Sequence, residues 1–172
     1  MVERVIERVS RSEVDKVVVA APHDLGIDLS VPLFIGDEHD VLKRYYDCAK
    51  FFKADNIVRI TADCPLILPE IINDCIFFRN ELMKVDYVAA VEPDYPDGLD
   101  VEVFTFDALE RTHKAVKSKI EREHVTPWMR ENLECHYLDF WEGKMDKVSV
   151  DTLKDLRRVR KLWNGKVKLY YL

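Results

Sequence analysis

Asn56-Ile-Val-Arg-Ile-Thr-Ala-Asp-Cys-Pro-Leu66 is the stretch of sequence that decides the fold. Its run of apolar, β-branched residues predicts a strand over 56–61, and the chain must turn where Asp63 and Pro65 follow that strand. Open α/β sheets bind ligands in the crevice outside the carboxyl ends of their strands. Asp63 therefore stands where such a sheet places its site.

A second apolar run ends on an acid far downstream, in Lys147-Val-Ser-Val-Asp151. Two aspartates at strand ends can converge on one site, and Mg2+ is usually held by one or two carboxylates together with phosphate oxygens of its substrate. Asp63 and Asp151 are therefore the candidate ligands for Mg2+. The alternative is that Asp151 only caps a helix. Thr152 with Asp155 three residues later resembles a capping box, however, which would leave Asp151 free.

Length and composition predict one globular domain over residues 1–172. The chain has 172 residues, of which 48% are hydrophobic and 34% are charged, and its net charge is −6. Because the chain is acidic and shows no cluster of lysine and arginine, we expect neither nucleic acid nor a membrane surface as a partner. No apolar run approaches the ~20 residues that span a bilayer, and no signal peptide begins the chain, so we expect a cytoplasmic protein.

Helical and strand periods alternate along the chain, which predicts a three-layer α/β sandwich with a mainly parallel sheet. Asp37 is the expected N-cap of the second helix. The fifth strand alternates in polarity and is expected to face solvent on one side. Helices are predicted over 2–12, 38–53, 69–83, 107–117, 119–132 and 152–163, and strands over 16–21, 31–35, 56–61, 86–91, 99–106 and 146–150.

Further polar residues near the predicted strand ends are candidates for substrate contact. Arg59 leaves the same face of its strand as Thr61, and it either contacts a nucleotide or sugar or forms an ion pair beside the sheet. Asp97, Asp100 and Glu102 form an acidic loop and strand that could bind sugar hydroxyls. The alternative for this loop is the ordinary turn chemistry of its Pro-Asp-Gly sequence.

Arg122 and His124 precede Thr126-Pro127, a pair that predicts the N-cap and first residue of a helix. His124 is a candidate for substrate binding or for a base near neutral pH. The alternative is a histidine at a helix end whose neighbours satisfy its hydrogen bonds.

Five segments, in order and covering nearly the whole chain, resemble the spore-coat polysaccharide cytidylyltransferase family, which is similar to CMP-sialate and CMP-octulosonate synthetases. The resemblance implies a glycosyltransferase-A-like nucleotidyltransferase fold. The segments are Leu42-Lys-Arg-Tyr-Tyr46, Ile57-Val-Arg-Ile-Thr-Ala-Asp-Cys-Pro-Leu66, Tyr95-Pro-Asp-Gly-Leu-Asp-Val-Glu-Val-Phe104, Arg122-Glu-His-Val-Thr-Pro127 and Val150-Asp-Thr152.

The reaction that the resemblance implies is attack by a sugar hydroxyl on the α-phosphate of CTP, which gives a CMP-sugar and pyrophosphate. An acidic sugar, a role in surface polysaccharide synthesis, Mg2+ held by Asp63 and Asp151, and a homodimer are implied in the same way. The candidate catalytic residues are Arg59, Asp63 and Asp151. The candidate substrate-binding residues are Thr61, Asp97, Asp100, Glu102, Arg122 and His124.

The chain departs from the family at its beginning. Members of the family start with a strand and a loop that carries an arginine and a lysine for the base and triphosphate, and this segment has no counterpart here. The five glycines never cluster, so a glycine-rich phosphate loop is not predicted. We therefore expect an N-terminally truncated member. Two alternatives stay open: a non-catalytic relative that serves as a binding or assembly module, and a sugar transferase on the same fold that uses Asp63.

Overall fold

Helices and strands alternate through the computed structural model, which describes residues 1–91, 93–139 and 146–163. The helices in these ranges are α1 (Val2–Val9), α2 (Val41–Phe52), α3 (Pro69–Glu81), α4 (Phe106–Ala115), α5 (Lys119–His124), α6 (Pro127–Asn132) and α7 (Leu153–Lys161). The strands are β1 (Val19–Ala21), β2 (Leu33–Ile35), β3 (Asn56–Arg59), β4 (Tyr87–Ala90), β5 (Val101–Thr105) and β6 (Cys135–Tyr137). The short apolar end of the chain, 164–172, lies outside the described residues.

The strands form two separate sheets. β1 and β2 pair in parallel, and the larger sheet has the order β3-β5-β4-β6. β5 is antiparallel to both of its neighbours, whereas β4 and β6 are parallel. β3, β4 and β6 therefore run in one direction and only β5 runs against them. The predicted α/β sandwich with a mainly parallel sheet is confirmed.

The larger sheet is covered on both faces, which makes the three layers. Val88 and Val103 point into an apolar cluster with α1 and α3. Tyr87 and Phe104 point into a second cluster with α2, α4 and α6. The prediction that the fifth strand faces solvent on one side is wrong, because β5 lies between β3 and β4 at the centre of the sheet and both faces are packed.

Two helix boundaries differ from the prediction. The N-cap of α2 is Asp40, whose carboxylate accepts a hydrogen bond from the Lys43 N–H, whereas Asp37 accepts from the backbone of the preceding turn. The predicted helix over 119–132 is broken, because Val125 has a φ of 72° and Pro127 then opens α6. Proline cannot donate within a helix but is favoured in its first turn, so the break falls just before it.

The segment 146–150 carries no strand in the structure, although it was predicted as one, and β6 was not predicted. Val148 and Val150 are nonetheless buried, and their backbone N–H groups bond to two loops rather than to a neighbouring strand. No helix in the described ranges is long and apolar enough to cross a membrane.

Candidate active site

Asp63 lies in the turn that carries the chain from β3 to α3. The N–H of Cys64 donates to the carbonyl of Thr61 over 3.3 Å, and the N–H of Ile67 donates to the carbonyl of Cys64 over 3.1 Å. Pro69 then starts α3, where its missing N–H costs no helical hydrogen bond. Consecutive turns thus leave the half-buried Asp63 at the edge of the sheet, where the sequence predicts it.

A second segment runs beside this turn. The N–H of Val150 donates to the carbonyl of Asp63 over 2.9 Å, so Asp151 lies one residue beyond a direct backbone contact with Asp63. The carbonyl of Asp97 accepts from the N–H groups of Val148, over 2.6 Å, and Ser149, over 3.1 Å. Three segments that are far apart in sequence therefore meet here, and each brings at least one aspartate.

Gly98 makes the approach of these segments possible. Its φ is +101°, a conformation that residues with a Cβ rarely adopt, and a Cβ there would lie 2.1 Å from the backbone nitrogen of Ser149. Its N–H donates to the carboxylate of Asp100 over 2.9 Å, which closes the loop on itself. The Pro-Asp-Gly turn chemistry and the acidic site are therefore features of the same loop and do not exclude each other.

The Lys147 side chain was not predicted as part of the site, and it contacts two of the predicted residues. Its Nζ lies 2.6 Å from the Asp97 carboxylate and 2.5 Å from that of Asp151. These two carboxylates raise the pKa of Lys147, so its side chain carries a full positive charge at neutral pH. The sequence signal for it was weak, because a lysine four residues from an aspartate is common on any surface.

The carboxylates of the site also affect the pKa of a neighbouring thiol. Cys64 is buried, and its Sγ lies 3.1 Å from the Thr61 hydroxyl. Burial raises the pKa of the Cys64 thiol to about 12, and the negative charges of Asp63, Asp100 and Asp97 act in the same direction. The thiol is therefore protonated at neutral pH.

The residues present fit a hard divalent cation. In the described part of the chain no group of three or more metal-binding side chains is preassembled. Mg2+, however, needs only one or two carboxylates when the substrate supplies phosphate oxygens. Asp63 and Asp151 lie on touching segments, and the Lys147 ammonium group bridges Asp97 and Asp151.

Glu102 lies at the centre of a buried polar cluster. Its side chain is 1% exposed and forms ion pairs with Arg59 and with Arg130, the latter over 2.8 Å. The hydroxyls of Tyr87 and Thr126 each donate to Glu102 Oε1 over 2.6 Å. Burial alone would raise the pKa of Glu102, but the charge of Arg59 and the hydrogen bonds outweigh burial, so its pKa lies below the ordinary value.

This cluster determines what Arg59 and Glu102 can do. The predicted ion pair beside the sheet is present, and Arg59 is the cation in it. Glu102 is buried and engaged by four side chains, so it is placed to hold Arg59 rather than to reach solvent. The contact of either residue with substrate stays a prediction. Arg130 and Tyr87 were not predicted, because their contacts with Glu102 arise only when α6 packs on β4 and β5.

Arg122 and His124 lie on α5, which ends just before Thr126. The guanidinium of Arg122 donates to Asp40 over 2.8 Å and to the carbonyl of Val116 over 2.8 Å, and it lies 3.1 Å from Nδ1 of His113. These contacts join the start of α2 to the end of α4. His124 is exposed at the last position of α5. The structure therefore brings together the segments of Asp63, Asp97, Asp100, Asp151 and Thr61, whereas the side-chain contacts of Arg122 are with α2 and the end of α4.

Comparisons with known proteins identify the family of the chain. A family model described as cytidylyltransferase matches residues 1–162. An uncharacterized protein of Methanocaldococcus jannaschii is 36% identical over an alignment that covers 91% of this chain and 70% of the relative.

Solved structures share the fold. A cytidylyltransferase from Leptospira borgpetersenii superposes with a TM-score of 0.87 at 25% identity, over 97% of this chain and 76% of that one. A CMP:2-keto-3-deoxy-manno-octonic acid synthetase complexed with CTP superposes with a TM-score of 0.74 at 14% identity, over 96% of this chain and 88% of that one. The match of the family model to residues 1–162 shows that this chain belongs to the cytidylyltransferase family.

Proposed function

We propose that this protein transfers a cytidylyl group from CTP to a sugar, in a Mg2+-dependent reaction that releases pyrophosphate. The observation that carries the proposal is the meeting of three aspartate-bearing segments at the carboxyl end of β3, fixed by hydrogen bonds from the 148–150 backbone to Asp63 and Asp97. Phosphoryl transfer depends mainly on positioning and on stabilising charge at the phosphate oxygens. An acidic site suits this chemistry only when cations accompany the phosphates.

Each residue of the site has a role in this proposal. Asp63 and Asp151 would hold Mg2+, which when bound supplies positive charge to the phosphate oxygens. Lys147 keeps Asp97 and Asp151 together and adds its own positive charge at the site. Arg59, held by Glu102, orients the nucleotide or the sugar from the neighbouring strand.

The proposal also includes the type of sugar and the use of the product. Asp97 and Asp100 lie on the loop that closes on the 148–150 segment, and carboxylates suit the binding of sugar hydroxyls. An acidic sugar is supported by the similarity to a synthetase for an eight-carbon sugar acid, together with the sequence resemblance. Use of the product in surface polysaccharide, a cytoplasmic location and a homodimer rest on the sequence alone.

Full turnover, we propose, also needs the arginine and the lysine that the family resemblance implies for the base and the triphosphate. Among the glycines in the described residues, Gly26, Gly36 and Gly98 stand in separate loops, so none of these loops is a glycine-rich phosphate cradle. Binding of CTP and turnover of CTP are therefore measured separately, and binding is the more direct test of the site in this chain.

The test is thermal unfolding of the chain with Mg2+ and each of CTP, UTP, ATP and GTP. A ligand at one hundred times its dissociation constant adds about 2.7 kcal/mol, which raises Tm by several degrees in a domain of this size. We expect a CTP-selective, Mg2+-dependent rise that is lost in Asp63→Asn and in Asp151→Asn. Asp28→Asn, at an exposed loop position, is the matched control and should keep the rise. An equal rise in Asp63→Asn, or none with any nucleotide, would contradict the proposal.

A further inference from the structure

The junction between α5 and α6 has an unusual backbone. Val125 has a φ of 72° and a ψ of −55°, and the N–H of Thr126 donates to the carbonyl of His124 over 2.9 Å. This is a γ-turn of the form with positive φ, which is rare and strained. Valine is β-branched, and a β-branched residue at positive φ is an outlier. Such strain persists only where the surrounding structure fixes it, and it concentrates at functional sites.

Thr126, the residue after this turn, does not cap the helix that it begins. A threonine at the N-cap normally accepts a hydrogen bond from an N–H of the first turn through its side-chain oxygen. α6 has no such bond. Thr126 is buried, and its hydroxyl donates to Oε1 of Glu102 over 2.6 Å. The strained turn therefore delivers this hydroxyl to Glu102 rather than to α6.

The two carboxylate oxygens of Glu102 have different partners. Oε1 accepts from the hydroxyls of Tyr87 and Thr126, and from Nη2 of Arg130 over 2.8 Å. Among the described residues, Oε2 accepts only from Nη1 of Arg59. Three donors on Oε1 fix the orientation of the carboxylate group. Oε2 therefore points in one direction, and that direction sets the position of the Arg59 guanidinium.

Arg59 keeps hydrogen-bonding capacity beyond this ion pair. Its Nη1 is bound to Glu102, whereas its Nε is buried without a hydrogen-bond partner among the described residues. The guanidinium carbon lies 5.9 Å from the centroid of the Tyr45 ring. Arg59 is also the last residue of β3, and the turn that carries Asp63 follows it. A planar guanidinium that is held through one nitrogen retains donors for the anionic oxygens of a ligand.

We propose that Thr126 is a positioning residue for Arg59, because its hydroxyl holds Glu102 in the orientation that directs Arg59 towards the phosphate oxygens of CTP. Thr126 itself touches no substrate and acts only through Glu102. The step from Thr126 to Arg59 depends on the buried cluster alone. The step from Arg59 to CTP rests on the proposed function.

Three substitutions in the 172-residue chain separate the hydroxyl from the shape of the side chain and from general stability. Thr126→Val removes the hydroxyl and keeps the branched shape, whereas Thr126→Ser keeps the hydroxyl. Thr112→Val is the matched control. Thr112 is also buried, but it donates its hydroxyl to the carbonyl of Ala108 within α4.

Solvent exchange of the Arg59 guanidinium protons, followed by NMR, tests the first step without a nucleotide. We expect roughly tenfold faster exchange in Thr126→Val, because the ion pair loses its fixed direction, and no change in Thr126→Ser or Thr112→Val. The amide of Val88 in β4 reports global opening in the same samples. Its exchange should change no more in Thr126→Val than in Thr112→Val.

The dissociation constant of CTP in the presence of Mg2+ tests the second step. We expect it to rise roughly tenfold in Thr126→Val and to stay within about twofold in Thr126→Ser and Thr112→Val. Arg59→Lys keeps the charge of the buried cluster but lacks the planar guanidinium. Because Thr126 acts through Arg59, Thr126→Val should weaken CTP binding no further in the Arg59→Lys chain.

Unchanged exchange of the Arg59 guanidinium in Thr126→Val would overturn the proposal. A serine variant that behaves like the valine variant, or an equal effect of Thr112→Val, would overturn it too. Full additivity of Thr126→Val and Arg59→Lys on CTP binding would show that Thr126 acts by another route. Absence of CTP binding in the natural chain would refute the proposed function and the step from Arg59 to CTP, whereas the step from Thr126 to Arg59 is decided by the exchange rates alone.

Discussion

Glu102 illustrates what a sequence can and cannot show about a single side chain. Its place in an alternating acidic strand predicts an exposed carboxylate that meets a sugar, but it is buried and bonded to Arg59, Arg130, Tyr87 and Thr126. Alternation along a strand identifies two faces without saying which of them is covered. By contrast, the position of Asp63 beyond the end of β3 follows from a general rule about strand ends, which a sequence can use. Asp151 follows no strand, and its segment meets that of Asp63 through a hydrogen bond between loops.

Replacement of Glu102 by glutamine should lower the free energy of unfolding by about 3 kcal/mol at pH 7, because it leaves Arg59 with an uncompensated charge in a buried cluster. Urea denaturation measures the loss. Glu110→Gln, which removes an ion pair with Lys114 near the surface, is the control and should change stability by less than about 1 kcal/mol. Equal effects of the two changes would contradict the role assigned to Glu102.

The difference in stability between the natural chain and Glu102→Gln should also depend on pH, in a direction that the pKa of Glu102 fixes. The pKa of Glu102 is below its ordinary value in the folded state, so the folded state favours the ionised form. The stabilisation is fully present above the ordinary glutamate pKa of 4.5 and is lost as the pH falls through the lower folded-state pKa. The difference in stability between the natural chain and Glu102→Gln should therefore shrink on acidification below about pH 4.5. A difference that grows would contradict this account.

Helices were easier to predict than the segments between them. Thr152 caps α7, and Asp155 completes the capping box, as the sequence predicts. Pro69 and Pro127 each open a helix in the predicted place. These signals are local, because a cap or a proline acts within one turn. The segment 146–150 has the composition of a strand but bonds to loops, and that outcome depends on how distant parts of the chain pack.

Gly98 and Gly26 offer a matched test of the loop that closes the site. Both have positive φ, but only at Gly98 would a Cβ meet backbone, whereas nothing lies within 4 Å at Gly26. Gly26→Ala should cost about 1–2 kcal/mol from conformational strain alone. Gly98→Ala should cost several kcal/mol and abolish the CTP-dependent rise in Tm, because residues 148–149 must move away. Chemical denaturation and the nucleotide assay measure the two effects, and equal costs would contradict the close approach.

The larger sheet and the smaller one differ in how firmly they are held. All four residues of β4 and the first four of β5 are buried, whereas β1 and β2 are mostly half-buried. The alternation of helical and strand periods predicted the sandwich and its mainly parallel strands. It could not predict the division into two sheets, because strand order depends on pairing between distant segments and not on local pattern.

Native-state hydrogen exchange of the 172-residue chain should show this difference. We expect the slowest amides in β4 and β5, with exchange near the limit of global unfolding, and exchange at least roughly tenfold faster in β1 and β2. The reason is that the smaller sheet can open while both apolar clusters of the larger one stay packed. Uniform protection across the two sheets would show that they unfold as one unit.

The hydrogen bond from Val150 to Asp63 also has a consequence for the synthesis of the protein. The ribosome releases a chain from its N-terminus at about 5–20 residues per second, and Asp63 emerges long before Val150. The β3 turn must therefore remain without its closing segment until residues 148–150 have been made. A nascent or prematurely ended chain that stops before 147–151 would have most of the sheet but no closed site, so nucleotide binding would distinguish finished molecules from unfinished ones.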